Sequence, residues 1–226
     1  MGVELNDTQV QQFIKYHEIL VEWNSFMNLT GITEYEEVVQ KHFVDSLALC
    51  KSIDVSKVES LIDIGTGAGF PGIPLKIAYP HLKVTLLDSL QKRIKFLNEV
   101  VSQLRLEDVE TIHGRAEDYA KPSMKRESFD VCVSRAVANL ASLSEYCLPY
   151  VKIGGYFIPY KSGKVDEDLE KSKKAVFLLG GMIEEEVIFF LPDSDISRSL
   201  IKIKKVSVTP KKYPRKSGLA TKEPIK

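Results

Sequence analysis

Residues Leu61-Ile62-Asp63-Ile64-Gly65-Thr66-Gly67-Ala68-Gly69-Phe70-Pro71-Gly72 constrain this chain more than any other stretch. A short apolar run carries an acid, breaks into three alternating glycines and leads into a helix. Glycine reaches positive φ at little cost and lets a ligand approach the backbone closely. The run is long enough for a buried strand of a parallel sheet, so the glycines lie where the strand's carboxyl end meets a helix start. In open α/β sheets adenosine cofactors bind in that crevice. Nineteen residues after Gly69, the run Val84-Thr85-Leu86-Leu87 ends in Asp88, an acid placed to accept hydrogen bonds from ribose hydroxyls.

Two cofactor templates fit the loop. Gly67-x-Gly69-x-x-Gly72 matches the dinucleotide fingerprint, in which a pyrophosphate sits on a helix N-terminus. Asp63-x-Gly65-x-Gly67-x-Gly69 matches the loop of S-adenosylmethionine (SAM) enzymes. SAM has no phosphate but carries a sulfonium and an amine, so an acid near the loop suits it. Asp63 therefore favours SAM, with NAD second. A glycine-rich turn without a ligand is the remaining reading. Pro71 and Pro74 fit a helix entered abruptly, since proline is tolerated in the first turn.

The chain has 226 residues, 44% of them hydrophobic, enough for one large domain or a core with a small helical annex. No run approaches membrane-helix length, and Met1-Gly2-Val3-Glu4 lacks a signal-peptide pattern. Cys50, Cys132 and Cys147 are odd in number and lack metal-ligand spacing, which points to reduced thiols, a cytoplasmic setting and no metal. The net charge of zero hides an asymmetry. From Arg198 to Lys226 there are ten Lys or Arg residues and one acid, so the preceding chain carries a net −9. That asymmetry suits a polyanion partner or a solvated tail. Apolar and basic residues alternate through Leu200–Val206, a strand pattern with a cationic face. Lys211-Lys212-Tyr213-Pro214-Arg215-Lys216 then mixes cations with an aromatic ring, which suits phosphate contacts plus stacking on an unpaired base.

Asn6 to Met27 is predicted as an amphipathic helix, with Val10, Phe13, Ile14, Leu20, Trp23 and Met27 near helical spacing. A second helix opens with Thr33 and Glu36 spaced as a capping box and runs through Val39, Phe43, Leu47 and Cys50. His42 and Asp45 on it are taken as structural surface groups. From Glu59 strands alternate with helices, the pattern of a doubly wound α/β sheet. The predicted strands are Ser60–Ile64, Lys83–Leu87, Val109–His113, Phe129–Ser134, Tyr156–Tyr160, Glu186–Leu191 and Ile201–Val208. The helices between them fall near Ile73–Tyr79, Leu90–Arg105, Ala138–Leu148 and Val165–Leu179. No helix separates the last two strands, which form an antiparallel pair at the sheet edge. The expected architecture is a mostly parallel seven-stranded α/β sheet of the class I SAM-dependent methyltransferase type. An N-terminal annex spans 1–58, the core 59–208 and a basic tail 209–226.

After the third strand, Gly114-Arg115-Ala116-Glu117-Asp118 offers an acid and backbone amides for an adenine ring, or a helix cap. After the fourth come Ser134-Arg135-Ala136-Val137, where this fold keeps residues facing the methyl acceptor. There is no Asn-Pro-Pro run, which grips an exocyclic amine, and no Pro-Cys, whose thiolate attacks a pyrimidine. What remains is an arginine, whose planar fork matches a carboxylate, a phosphate or a guanine edge. An acceptor needing neither nucleophile nor strong base suits such a site, and guanine N7 is one, its catalysis being in-line positioning.

These segments together resemble the bacterial ribosomal RNA small-subunit methyltransferase G family, also called the glucose-inhibited division protein B family. Its carriers are Val21-Glu22-Trp23-Asn24 with Asn28-Leu29-Thr30; Lys41-His42-Phe43-Val44-Asp45-Ser46; the glycine loop; Leu87-Asp88-Ser89 with Lys92-Arg93; Arg115-Ala116-Glu117; Ser134-Arg135-Ala136; and Lys212-Tyr213-Pro214-Arg215-Lys216. Ser217-Gly218-Leu219-Ala220 keeps the family's following glycine and lacks its proline. The resemblance implies a cytoplasmic enzyme that transfers methyl from SAM to guanine N7 in the decoding-region loop of 16S rRNA. It places Gly65, Phe70, Ala116, Glu117 and Arg135 on the cofactor and Asp88 on the ribose. With the loop residues, the candidate cofactor set is Asp63, Gly65, Gly67, Gly69, Phe70, Asp88, Ser89, Ala116, Glu117 and Arg135. Ser134 and Arg135 are the candidate catalytic pair, and Lys211, Lys212, Tyr213, Arg215 and Lys216 the candidate RNA contacts. The expected partner is 16S rRNA in the small ribosomal subunit, met by a monomer without a membrane. The rival readings are an NAD-dependent oxidoreductase and an RNA-binding module with a vestigial cofactor pocket.

Overall fold

The computed structural model describes residues 2–135, 138–163 and 165–225. Its centre is one seven-stranded sheet in the order β3-β2-β1-β4-β5-β7-β6. The strands are β1 (Ser60–Ile64), β2 (Lys83–Asp88), β3 (Val109–His113), β4 (Phe129–Ser134), β5 (Val151–Ser162), β6 (Gly181–Phe190) and β7 (Ser197–Lys205). The first five run parallel, and β7 lies antiparallel between β5 and β6. The terminal pair at the edge is as the sequence predicts, but all three last strands extend beyond or shift from their expected bounds. Gly154 has φ +90, and the β4–β5 register shifts between Phe129 and Val131. An irregular strand start of this kind leaves no clean alternation to read.

Switch of strand order between β1 and β4 opens the crevice above their carboxyl ends. Because β7 runs antiparallel, its amino end lies at the same edge, which brings Arg198 to the crevice.

The annex begins with α1 (Asp7–Met27), closed at its start by a capping box between Asn6 and Gln9. Gln9 Nε2 also donates to the carbonyls of Ile77 and Ala78 at 2.8 and 3.1 Å, tying α1 to α4 (Gly72–Ala78). The second annex helix departs from expectation. It is α2 (Tyr35–Val38), a π-helical turn Val39–Val44, α3 (Asp45–Leu47) and a 3-10 turn Ala48–Lys51. Thr33 and Glu36 form no capping box; Glu34 is the cap, without a side-chain bond. Val38 and Phe43, both buried, are five apart on one face, the spacing of a π turn. That turn carries Lys41 and His42 and re-aims Asp45 inward.

Between the strands lie α5 (Gln91–Gln103), α6 (Ala116–Tyr119), α7 (Leu140–Cys147) and α8 (Asp166–Leu178); the short α9 (Leu219–Lys222) follows β7. One apolar cluster joins the annex and α4 to a sheet face, and a second joins α7, α8 and Tyr213 to the other. Residues 209–225 are not a solvated tail. Tyr213 is buried, and Arg126 donates to the carbonyls of Thr209 and Tyr213. Among the described residues no helix is long and apolar enough to cross a membrane.

Candidate cofactor and active site

Three adjoining cavities occupy the carboxyl end of the sheet. The first, about 370 Å³, is lined by Gly65, Gly67, Phe70, Asp88, Ser89 and Arg135 among others. Past Asp88 and Ser89 it meets a second of about 220 Å³, walled by Ile64, Leu87, Ala116, Glu117, Leu143 and Tyr146. The third, about 660 Å³, lies on the other side of His42 and Arg135 and is lined by Lys41, Asp45, Lys161, Asp168 and Arg198.

The glycines divide the work. Gly67, at φ +62, has open space where a Cβ would stand. A Cβ on Gly69, at φ +94, would come within 2.7 Å of both Ile73 Cδ1 and the Tyr16 hydroxyl oxygen. On Gly72 it would meet Leu86 Cδ2 at 2.4 Å and Asp63 Oδ2 at 3.1 Å. Gly67 thus serves the cavity, whereas Gly69 and Gly72 let the loop pack on the annex and the sheet. Tyr16, absent from the sequence candidates, donates its hydroxyl to the Ala68 carbonyl and clamps the loop from α1.

Asp63 lies beneath the loop and lines none of these cavities. Its Oδ2 accepts from the Thr66 hydroxyl at 2.7 Å and from Gly72 N at 2.9 Å. Burial pushes its carboxyl up to about 6, against the lowering effect of those two donors. Gly72 N, the helix-start amide that a pyrophosphate would need, is therefore spent on an internal carboxylate. Asp88 Oδ2 accepts from Gly67 N at 2.9 Å and Arg93 Nη1 at 3.1 Å, while among the described residues Oδ1 takes only Leu90 N at 2.9 Å. One acceptor position remains on Oδ1 for a ribose hydroxyl. Glu117 accepts Gly218 N on Oε1 at 2.9 Å, which leaves Oε2 for an exocyclic amine. Acceptors for hydroxyls and an amine, apolar walls for a ring and an arginine for a carboxylate fit SAM. A dinucleotide's phosphates find the loop amides of Gly67 and Gly72 already taken.

Arg135 stands on the wall shared by the first and third cavities. Its Nη1 donates to Asp45 Oδ2 at 3.0 Å and to the Lys41 carbonyl at 3.2 Å. Nη2 donates to His42 Nδ1 at 3.2 Å, and the guanidinium lies 5.0 Å from the Phe70 ring centre. His42 stacks on Phe70 at 4.5 Å, and its Nε2 donates to Thr30 Oγ1 at 2.9 Å. Burial, with the neighbouring Arg135 charge, lowers His42 to about 4, so its ring is neutral and accepts from the arginine. Asp45 is 2% exposed and also takes Arg198 Nε on Oδ1 at 3.1 Å. One buried carboxylate thus aligns two guanidiniums. Phe70, His42 and Asp45 form a built support for Arg135, and the annex supplies two of the three. On sequence grounds His42 and Asp45 are surface groups; the structure corrects this, because the π turn carries them inward.

Ser134 is fully buried and donates to the Ile64 carbonyl at 2.8 Å, a tie between β4 and β1. Ala136 and Val137 of the same motif lie outside the described residues. Among the proposed RNA contacts, Lys211, Lys212 and Lys216 are exposed. Tyr213 is buried and Arg215 forks onto Glu145, so neither presents its side chain freely. The cationic face of β7 is muted as well, since Lys202 and Lys204 pair with Glu184 and Lys205 is buried beside Glu127.

A model of the family described as rRNA small subunit methyltransferase G matches residues 9–200. The chain belongs to that family. A relative named Ribosomal RNA small subunit methyltransferase G in Lachnoclostridium phytofermentans is 61% identical over 225 residues, covering 100% of this chain and 93% of that protein. Another of the same name in Clostridium botulinum (strain Loch Maree) is 51% identical over 226 residues, covering 100% and 95%. Among solved structures, a SAM-dependent methyltransferase from Aquifex aeolicus aligns with a TM-score of 0.55 at 17% identity, over 74% of this chain and 93% of that one. An M. jannaschii protein solved in complex with AdoMet aligns at 0.56 and 15%, over 72% and 77%. Those two likenesses show the fold. This methyltransferase thus has the sheet and the cofactor class expected of it, and neither rival reading is favoured.

The two perturbed groups of the site make opposite demands on pH. Asp63 binds a proton more readily folded than unfolded, so its contribution is present below its ordinary 3.8 and lost as pH rises through about 6. His42 binds one less readily, so its contribution is present above its ordinary 6.5 and lost as pH falls through about 4. The two slopes nearly cancel in the intact protein. Urea midpoints across that window are expected to rise with pH in Asp63→Asn and to fall with pH in His42→Asn. Parallel profiles for both variants and the parent would contradict the assignment.

Proposed function

We propose that this chain methylates N7 of a guanine in the decoding-region loop of 16S rRNA, using SAM. The observation that carries the reading is the position of Arg135, between the cofactor-sized cleft and the larger cavity and fixed by Asp45, His42 and Phe70. The substrate atom comes with the family.

SAM, when bound, supplies an electrophilic methyl group, which an in-line lone pair takes up as the carbon–sulfur bond breaks. Guanine N7 has such a lone pair and no proton to lose, so the chain needs no general base. Its own residues position and desolvate. Asp88 holds the ribose and Glu117 the adenine amine, between the apolar walls of Ile64, Leu87 and Leu143. Arg135 orients the cofactor carboxylate or the incoming base from a guanidinium held by Asp45, His42 and Phe70. A guanine turned out of its RNA stack enters the 660 Å³ cavity, within the usual size of ligand sites. Lys211, Lys212 and Lys216 contact RNA phosphates. The enzyme acts as a monomer in the cytoplasm, on the preshaped small subunit rather than naked rRNA.

The test is labelled SAM offered to small subunits and to naked 16S rRNA from cells lacking the activity. The expected result is about one methyl per subunit and less on naked RNA. Label on neither, with SAM bound, would overturn the substrate.

A further inference from the structure

The loop that joins α1 to α2 reaches the first cavity, where Leu29 and Thr30 line it beside Gly65, His42 and Arg135. Asn24, near the end of α1, fixes that loop: its Oδ1 accepts from Leu29 N at 2.7 Å and from Thr30 N at 2.9 Å. Thr30 Oγ1 accepts in turn from Ile32 N at 3.1 Å, and its other contact is His42 Nε2 at 2.9 Å. A hydroxyl can give or take a proton there, but a guanidinium can only give. Arg135 Nη2 donates to His42 Nδ1 at 3.2 Å and the ring is neutral, so the ring's one proton sits on Nε2 and points at Thr30. Both lone pairs of Thr30 Oγ1 are therefore occupied, and what the hydroxyl has left to offer is its proton. Among the described residues nothing accepts that proton. Arg135 keeps donors as well: Nη1 is spent on Asp45 and the Lys41 carbonyl, which leaves Nε and one proton of Nη2.

We propose that Thr30 binds the cofactor, donating its hydroxyl proton to the carboxylate of SAM beside the Arg135 guanidinium. The inference rests on the reading above and deepens it: with adenine at Glu117 and ribose at Asp88, the amino-acid end of the cofactor lies in the first cavity. That end carries an ammonium, which only donates, and a carboxylate, which only accepts. A hydroxyl with no lone pair to spare cannot serve the ammonium, so the carboxylate is its partner. Two donors on the Thr30 oxygen also polarise its O–H bond and strengthen the contact it makes. The Asn24–Thr30–His42 chain thus presents two donors to one carboxylate, the Thr30 hydroxyl directly and Arg135 through the histidine ring.

The experiment compares two ligands that cannot react, S-adenosylhomocysteine and its analogue lacking the carboxylate, by calorimetric titration, direct or by displacement. Thr30→Val is expected to bind S-adenosylhomocysteine at least about tenfold more weakly, the effect of one hydrogen bond to a charged group, and the analogue within about twofold of the parent. Thr30→Ser keeps the hydroxyl and is expected to stay within about threefold of the parent on both. In a His42→Phe background, where the path to Arg135 is already cut, the valine change is expected to weaken S-adenosylhomocysteine by about tenfold again. Thermal melting checks each fold, and Thr30→Ala, which deletes the same hydroxyl, takes the place of a valine variant that melts early. Three results would overturn the proposal: an equal loss on both ligands, an undiminished affinity for S-adenosylhomocysteine, or no further loss in the His42→Phe background. Failure of the adenine placement shows separately, as a Glu117→Gln variant with the parent's affinity for both ligands. No RNA enters the experiment, so the rRNA reading stands or falls apart from it.

Discussion

Asp45→Ala is expected to lower kcat/KM for rRNA methylation by at least about a hundredfold while the cleft still binds SAM, because a displacement of about 1 Å at a positioning group costs that much. Asp45 lines the third cavity and holds Arg135 and Arg198 at 3.0 and 3.1 Å from its two oxygens. Without it, two guanidiniums about 20% exposed lose their shared counter-charge, each with one hydrogen bond fewer. Truncating one partner of a buried ion pair costs about 3–5 kcal/mol. For a domain of this size that lowers Tm by roughly 6–20 °C. Asp45→Asn keeps shape and one acceptor, and it should fall between parent and alanine variant in both readouts. Steady-state kinetics beside a thermal melt and SAM titration separate the two effects. Turnover within about threefold of the parent, with folding intact, would remove the ion triad from the catalytic account.

Arg215→Ala is expected to act on stability first. Glu145 is 1% exposed and accepts the Arg215 guanidinium on both oxygens, as well as Arg215 N at 2.8 Å. The alanine variant keeps the backbone contact but leaves a buried carboxylate without its cation, a loss of about 3 kcal/mol. Tm should fall by roughly 6–12 °C. Lys212→Ala, three residues away and exposed, should stay within about 0.5 kcal/mol of the parent and instead weaken binding to subunits. An Arg215→Ala protein that melts like the parent but binds RNA as poorly as Lys212→Ala would restore the arginine to the RNA surface.

The contrast between those two residues shows what one dimension hides. In the sequence, Lys212 and Arg215 belong to one basic run; only the fold brings Glu145, 70 positions away, under one of them. Glu145 itself looks like an ordinary helix carboxylate. Strands β1 to β4 are legible almost to the residue; β1, β2 and β4 are buried parallel strands, which read as apolar runs bounded by turns. β5 is more than twice as long as its readable part, since a bulge and Gly154 break its pattern. The cleft follows from the glycines, Asp88 and Glu117, yet the separate duties of Gly67 and Gly69 depend on Tyr16, half a hundred residues upstream. His42 and Asp45 are misjudged because a 3.6-residue period is assumed where the chain makes a π turn. Arg198 is missed because β7 is predicted to begin at Ile201, which leaves the arginine in a loop rather than at the crevice end of an antiparallel strand.

The most direct test of the central claim is the position of the methyl group. Small subunits labelled by this chain with SAM would be stripped to 16S rRNA, reduced with borohydride and cleaved with aniline, chemistry selective for 7-methylguanosine. The account predicts a single cut, at one guanosine of the decoding-region loop, carrying all the label. Label that resists cleavage, or cuts scattered over many guanosines, would contradict N7 transfer at a single positioned base.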